Sequence, residues 1–163
     1  MGPAIVGPMR NYPYLAFLVA GMVFTGTLPA RADDGAAPHL DRSGHKQHGK
    51  ASYYSRRFTH KKTASGLPLD PNKKTAASKT LPLGTKAEIT NTENGRKTEV
   101  IINDRGPYVK DRVIDVTPKA ADELGIKREG TAKVEVKPVE IPPPSANPKE
   151  EVLKAENKAD PPR

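Results

Sequence analysis

The chain has 163 residues, room for one small domain with tails, and its apolar fraction of 35% is below the ~45–50% usual for globular domains. It contains no cysteine, which excludes disulfide staples, thiolate nucleophiles, Cys-based zinc sites and a lipid carried on an N-terminal Cys. A net charge of +8 directs it toward polyanions, and 17 prolines with 13 glycines put much of the chain outside any packed core.

The N-terminal stretch reads as an export signal. Met1 to Tyr14 carries one charge, Arg10; an apolar run follows from Leu15 to Leu28, and Ala30-Arg31-Ala32 puts small residues at a cleavage site. The run is shorter than the ~20 residues of a spanning helix. Residues 1–32 are therefore expected to be a signal peptide, releasing a protein to the periplasm or cell exterior without a stable membrane anchor. Loss of Arg10 and Arg31 lowers the net charge from +8 to +6. Outside the cytoplasm the polyanions are wall glycan with its peptide carboxylates, teichoic acids or lipopolysaccharide. No basic–aromatic platform of the single-strand binders stands out, so no nucleic-acid partner is expected.

Residues 33–48 are polar and hold His39, His45 and His48. Gly44 and Gly49 flank the last two, and no further ligand follows at a recognisable interval, so a flexible linker is expected, with no metal and no cofactor. Strand-like patterning begins with Lys50-Ala51-Ser52-Tyr53-Tyr54. Arg56 to Lys62 reads as a basic connection, Thr63-Ala64-Ser65-Gly66 as a turn, and Lys74-Thr75-Ala76-Ala77 as a short strand closed by Leu81-Pro82-Leu83-Gly84. Thr85 to Asn91 alternates in the strand period, Asn94-Gly95 is a hairpin signal in which both residues tolerate positive φ, and Arg96 to Ile102 returns.

Val113 to Val116 makes a further strand. Thr117 as N-cap, Pro118 in the first turn, Ala120, Ala121 and Leu124 on one face and Gly125 as stop predict a short helix. Thr131 to Lys137 is the last strand, and residues 138–163 are Pro- and charge-rich, expected as a disordered tail in which a helix over Glu150 to Asn157 has little to pack against. About six short strands and one helix within residues 49–137 predict a mainly all-β fold, a small closed six-stranded β-barrel.

The stretch that carries chemistry is Val100-Ile101-Ile102 running into Asn103-Asp104-Arg105-Gly106-Pro107. β-Branched residues favour a strand, and the Gly-Pro that follows cannot continue a ladder, so an acid and a cation arrive together at a rigid strand's end. Asp104 is the candidate acid; a turn former is its plainer reading. Asp70 and Asp115 are the other acids to weigh, Asp115 as a structural partner of backbone or Arg112.

Gly49-x-Ala51-Ser52-x-Tyr54, Thr63-Ala64-Ser65-Gly66, Thr75-Ala76-Ala77, Thr80-Leu81-Pro82-x-Gly84-Thr85, Asn94-Gly95-Arg96, Ile102 to Pro107, Arg112-x-Ile114-Asp115 and the Ala120 to Gly125 helix resemble the rare lipoprotein A (RlpA) family. The blocks keep the family's order and spacing from Gly49 to Lys137. The resemblance implies a double-psi β-barrel, bacterial export and endolytic lytic transglycosylase action on peptidoglycan, with a preference for peptide-stripped glycan. Expansins share the barrel and loosen walls without clear hydrolysis. The family's active site has a carboxylate just after Thr-Ala-Ser-Gly, a His after Thr-Ala-Ala and the Asp of Asn-Asp-Arg-Gly-Pro. Here those positions are Leu67, Ser78 and Asp104. Tyr53 stands where a Trp is frequent, and the SPOR peptidoglycan-binding module that often follows the barrel is missing from this sequence.

The resulting expectation is Asp104 as acid/base, with Thr63, Ser65, Arg105, Tyr54 and Tyr108 binding glycan. Thr63 and Ser65 have a rival reading as turn formers, Arg105 as a loop brace through an acid, and the tyrosines as core with a wet hydroxyl. Glycan strands are the expected partner, with other wall enzymes as a further class, and a monomer is expected. A non-catalytic glycan-binding or expansin-like barrel is the alternative that Leu67 and Ser78 favour.

Overall fold

Short β-branched strands separated by Gly and Pro turns cannot each bury a face alone, and here they close on one another. A computed structural model describes residues 39–144 and 146–159. The expected signal peptide and residues 33–38 lie outside the described residues. Six strands, β1 (Gln47–Tyr53), β2 (Thr75–Ser78), β3 (Lys86–Asn91), β4 (Lys97–Asp104), β5 (Arg112–Val116) and β6 (Thr131–Glu140), form a closed barrel in the order β1-β5-β2-β4-β3-β6. β1 pairs parallel to β5 and β2 parallel to β4, while the remaining neighbours are antiparallel. The two parallel pairs interleave, the double-psi arrangement, and closure leaves no edge among these strands to protect.

Alternation fills the interior. Ala87 and Ile89 of β3 and Ala132, Val134 and Val136 of β6 point inward, meeting Ala51, Ala76, Val100, Ile102, Ile114 and Val116. α1 (Pro118–Leu124) follows β5 and adds Ala120, Ala121 and Leu124 to this core. Thr117 has the extended backbone of an N-cap, yet its hydroxyl makes no cap bond: it donates to the Lys73 carbonyl (2.6 Å) and accepts from the Thr75 amide (3.2 Å). Gly125 ends the helix at φ 70° as expected of a left-handed stop.

The Asn94-Gly95 signal sits in the connection of the antiparallel β3–β4 hairpin, a five-residue loop in which Gly95 takes positive φ (73°). The side-chain amides of Asn91 and Asn94 both donate to the Leu124 carbonyl at 3.0 Å, tying this loop to the end of α1. Two expectations need correction. Residues 39–48 are not a free linker. β1 starts at Gln47, whose amide reaches Thr80 Oγ1 (3.0 Å) and Asp41 (3.2 Å); the Asp41 amide donates to the Thr80 carbonyl (2.8 Å), and the Arg42 guanidinium donates to the Pro142 carbonyl.

The second correction is the C-terminal segment, expected as disordered. α2 (Pro148–Ala159) lies on the barrel with Val152 fully buried. Its docking site is Gly84: a Cβ built there would sit 2.8 Å from Glu151 Cβ, so only a glycine admits the helix. Ion pairs from Lys73 to Glu156 (2.5 Å) and Lys158 to Glu140 (2.9 Å) flank the contact. Composition concealed this because one buried valine is enough when the partner surface is shaped to receive it. Among the described residues no helix is long and apolar enough to cross a membrane.

Val152→Ala removes buried methyls and is expected to cost about 1–3 kcal/mol, read as a lower urea midpoint. Gly84→Ala, strained at φ +88° as well as crowded by Glu151, is expected to lower the midpoint too. Unchanged midpoints in both variants would show that α2 does not pack on the barrel.

Candidate functional site

Asp104 is the last residue of β4, and its half-buried carboxylate is held by donors from three segments. Oδ1 accepts the Ala64 amide (2.8 Å) and the Arg105 amide (2.8 Å), and Oδ2 accepts the Tyr54 hydroxyl (2.9 Å). Tyr54 directly follows β1, anchored by its amide on the Val116 carbonyl (3.0 Å). Ala64 lies in the Thr63–Leu67 turn, which is stitched to β4 by the Ser65 amide on the Asn103 carbonyl (3.0 Å). The barrel thus fixes the acid, and two loops aim their donors at it.

Each expected site residue has a definite place. Thr63 and Ser65 are buried: Thr63 Oγ1 donates to the Leu67 carbonyl (2.8 Å), which leaves Ser65 to donate across the 2.9 Å Thr63–Ser65 contact. Both hydroxyls therefore shape the turn that presents the Ala64 amide, the part their rival reading as turn formers gives them. The Nη1 of Arg105 donates to the carbonyls of Leu81 (2.8 Å) and Ser78 (3.2 Å), bracing the β2 exit through backbone. Burial pushes its pKa below the ordinary guanidinium value, partly opposed by Tyr108 and Asp104.

Tyr54 belongs to the site as a hydrogen-bond donor. Burial first, then the neighbouring Asp104 charge and the hydrogen bond to it, push its phenol well above the ordinary tyrosine range. Tyr108 is 83% exposed on the loop after Asp104 and has an open ring face. Leu67 is partly exposed at the end of the turn; Ser78 is buried, its hydroxyl accepting the Leu81 (3.2 Å) and Thr80 (3.4 Å) amides. These two positions flank Asp104 through the turn and through Arg105, and neither supplies a titratable group. Asp115, across β2 from Asp104, accepts Ser52 Oγ (2.6 Å) and Arg112 Nη2 (3.2 Å), as the Arg112 pairing in the sequence suggested.

Two partners escaped the sequence. The Ala64 amide is backbone and has no residue signature, and Ser52 lies 63 positions from Asp115, joined to it only by the parallel β1–β5 register. An open groove of about 890 Å³ runs beside Tyr54, lined also by Ser52, Arg56, Arg112, Lys127 and Thr131. A smaller cavity of about 290 Å³ lies under α2, bordered by Lys73, Ile101 and Glu156, and is no part of the Asp104 site.

The raised Tyr54 pKa has a stability consequence of definite sign. The folded state holds the phenol neutral more strongly than the unfolded chain does, so this contribution is complete below the ordinary tyrosine value of ~10 and declines as pH rises above it. A spectrophotometric titration is expected to show Tyr54 ionising last, with unfolding. Tyr54→Phe should remove that step and flatten the alkaline loss of stability; an unchanged alkaline profile would contradict the burial of the Tyr54 phenol beside Asp104.

Comparison with known proteins matches this architecture. A family model described as "Lytic transglycolase" matches residues 46–136. "Endolytic peptidoglycan transglycosylase RlpA" of Pasteurella multocida is 45% identical over 101 residues, 62% of this chain and 34% of that protein. The protein of the same name from Neisseria meningitidis serogroup A is 45% identical over 100 residues, 61% of this chain and 41% of that one. The chain thus spans well under half the length of these curated relatives. Among solved structures, the Streptomyces papain inhibitor aligns at TM-score 0.48 with 25% identity, covering 60% of this chain and 96% of that one. An expansin from Clavibacter michiganensis aligns at TM-score 0.48 with 17% identity, covering 61% and 52%. With more than half its length matched, the chain belongs to the lytic transglycolase family of double-psi β-barrels.

Proposed function

We propose that this chain is exported and cleaves peptidoglycan glycan strands endolytically as a lytic transglycosylase, leaving anhydro-muramyl ends. The observation that carries the reading is the half-exposed Asp104 carboxylate, held at the β4 terminus by Tyr54, Ala64 and Arg105. The 45% identity to proteins named endolytic peptidoglycan transglycosylase supports the substrate class.

The chemistry requires one group that gives a proton and takes one back. Oδ1 of Asp104 is occupied by two fixed amides, which assigns the moving proton to Oδ2. Among the described residues the partner of Oδ2 is the Tyr54 hydroxyl, a rotor able to donate to the carboxylate or accept from the acid. In the forward step Oδ2–H protonates the glycosidic oxygen and the C1–O bond breaks. The resulting carboxylate then takes the proton of the muramyl C6 hydroxyl as O6 closes on C1. Proton and electron pairs balance without water, so a second carboxylate of the kind hydrolases need is not required. Tyr108, exposed beside Asp104, offers a ring for a sugar face, and Arg105 acts by holding the turn at Ser78–Leu81.

A second reading has its own observation. Ser78 is buried with its hydroxyl closing a turn, and Leu67 is apolar, so both positions beside Asp104 lack an ionisable partner. This favours a barrel that binds glycan, in the manner of a wall-loosening or partner-recruiting module, without turning it over.

Digestion of purified, peptide-stripped sacculi by the mature protein discriminates the two. Anhydro-muramyl products from the wild type, reduced about 10²–10⁴-fold in Asp104→Asn, are expected for the enzyme. Binding without products would replace it with the binder. Leu67→Glu combined with Ser78→His is expected to raise activity; a folded, glycan-binding double variant no faster than wild type would show that these positions do not limit catalysis.

A further inference from the structure

Next to Asp104 the chain builds a cationic arm that the mechanism does not use. Arg56, Arg57, Lys61 and Lys62 are all exposed, and none takes part in an ion pair among the described residues. No Asp or Glu occurs between Tyr54 and Leu69, and the nearest acid, Asp70, is engaged by the Asn72 amide at 2.8 Å. A solvated run of like charge would ordinarily be mobile, but this one is held. The 3₁₀ turn Arg56–Phe58 is bonded by Phe58 to Ser55 (3.0 Å) and Thr59 to Arg56 (3.1 Å). His60 and Leu69 then exchange backbone bonds with the return chain, His60 N to Leu69 O (2.9 Å) and Leu69 N to Lys61 O (2.8 Å).

An aromatic relay links the arm to the acid. Phe58 carries Arg57 at 5.0 Å and Lys61 at 5.3 Å from its ring centroid, and its ring meets Tyr54 edge-on at 6.0 Å. Tyr54 in turn bonds Asp104. The sequence suggested no basic–aromatic platform; the fold assembles a small one by folding Arg57 and Lys61 back over a single ring. The open groove beside Tyr54 is itself lined by Arg56, so a chain lying in it meets the base of this arm.

We infer that the arm reads carboxylates carried by the glycan strand, making this an anion-selective reader of its substrate. The inference rests on the reading of the chain as acting on peptidoglycan glycan. Two sources present that chemistry: the lactyl carboxylate of muramic acid, free once the stem peptide is removed, and the carboxylates of retained stem peptides. A cationic rim of this kind acts chiefly on capture and on salt dependence, because exposed charges are screened within ~8 Å at physiological ionic strength.

The test is equilibrium binding of the mature full chain to solubilised glycan strands in three forms: peptide-stripped, stem-bearing, and stripped with the carboxyls amidated. Each is measured against the Arg57→Gln/Lys61→Gln double variant, with a single-stranded oligonucleotide of matched charge alongside. Expected is roughly three- to tenfold weaker binding on amidation of the carboxyls and a similar loss in the variant. Wild-type binding should also fall as salt rises, which keeps the test open if the variant misfolds. Tighter binding of the stripped form assigns the lactyl carboxylate, and of the stem-bearing form the peptide carboxylates. Equal binding of capped and uncapped glycan overturns the inference while leaving the glycan function standing. Tighter binding of the oligonucleotide overturns it in favour of nucleic acid. Binding of no glycan form at all overturns this inference together with the proposed function.

Discussion

The carboxylate of Asp104 is the point at which this fold is tied. It accepts one donor from the end of β1, one from the 63–67 turn and one from its own successor, so three chain segments converge on two oxygens. Bonds to an ionised acceptor are about twice as strong as neutral ones, and the convergence gives the loops around the barrel mouth a fixed reference. The 63–67 turn is held from within as well, by the buried hydroxyls of Thr63 and Ser65. Placement of the acid and stability of the loops therefore depend on the same interaction.

The two positions beside Asp104 enter this arrangement through turn-closing bonds. Ser78 works through a hydroxyl that closes the β2 exit and a carbonyl that receives Arg105, both of which are structural bonds. Leu67 contributes a carbonyl to the turn and an aliphatic side chain at its rim. Neither is needed to orient Asp104. The site is a single well-held acid with a rotating phenol beside it, and a cationic arm on one flank.

Elsewhere on the barrel, chain packing is finished by segments whose composition advertises little. α2 seats Val152 against a surface opened by Gly84, and residues 39–47 are fastened to Thr80 and Pro142. Both segments are polar, and in each a few contacts suffice because the barrel offers a shaped surface and unpaired backbone groups to meet them.

Much was legible in the chain alone. Period-two alternation in β3 and β6, the β-branched run of β4, and the Pro118-to-Gly125 helix punctuation are local properties, and local sterics decide them. The strand end that delivers Asp104 follows from Gly-Pro ending a ladder, and the pairing of Asp115 with Arg112 from their spacing. What the tertiary structure alone decided is direction and partnership. Arg105 Nη1 met the carbonyls of the β2 exit, the Thr63 and Ser65 hydroxyls closed their own turn, Asn94 in its hairpin loop reached the end of α1, and Arg57 and Lys61 gathered over Phe58, because each outcome depends on groups brought near by closure of the barrel. A sequence records which donors and acceptors exist; only the closed barrel sets which of them meet.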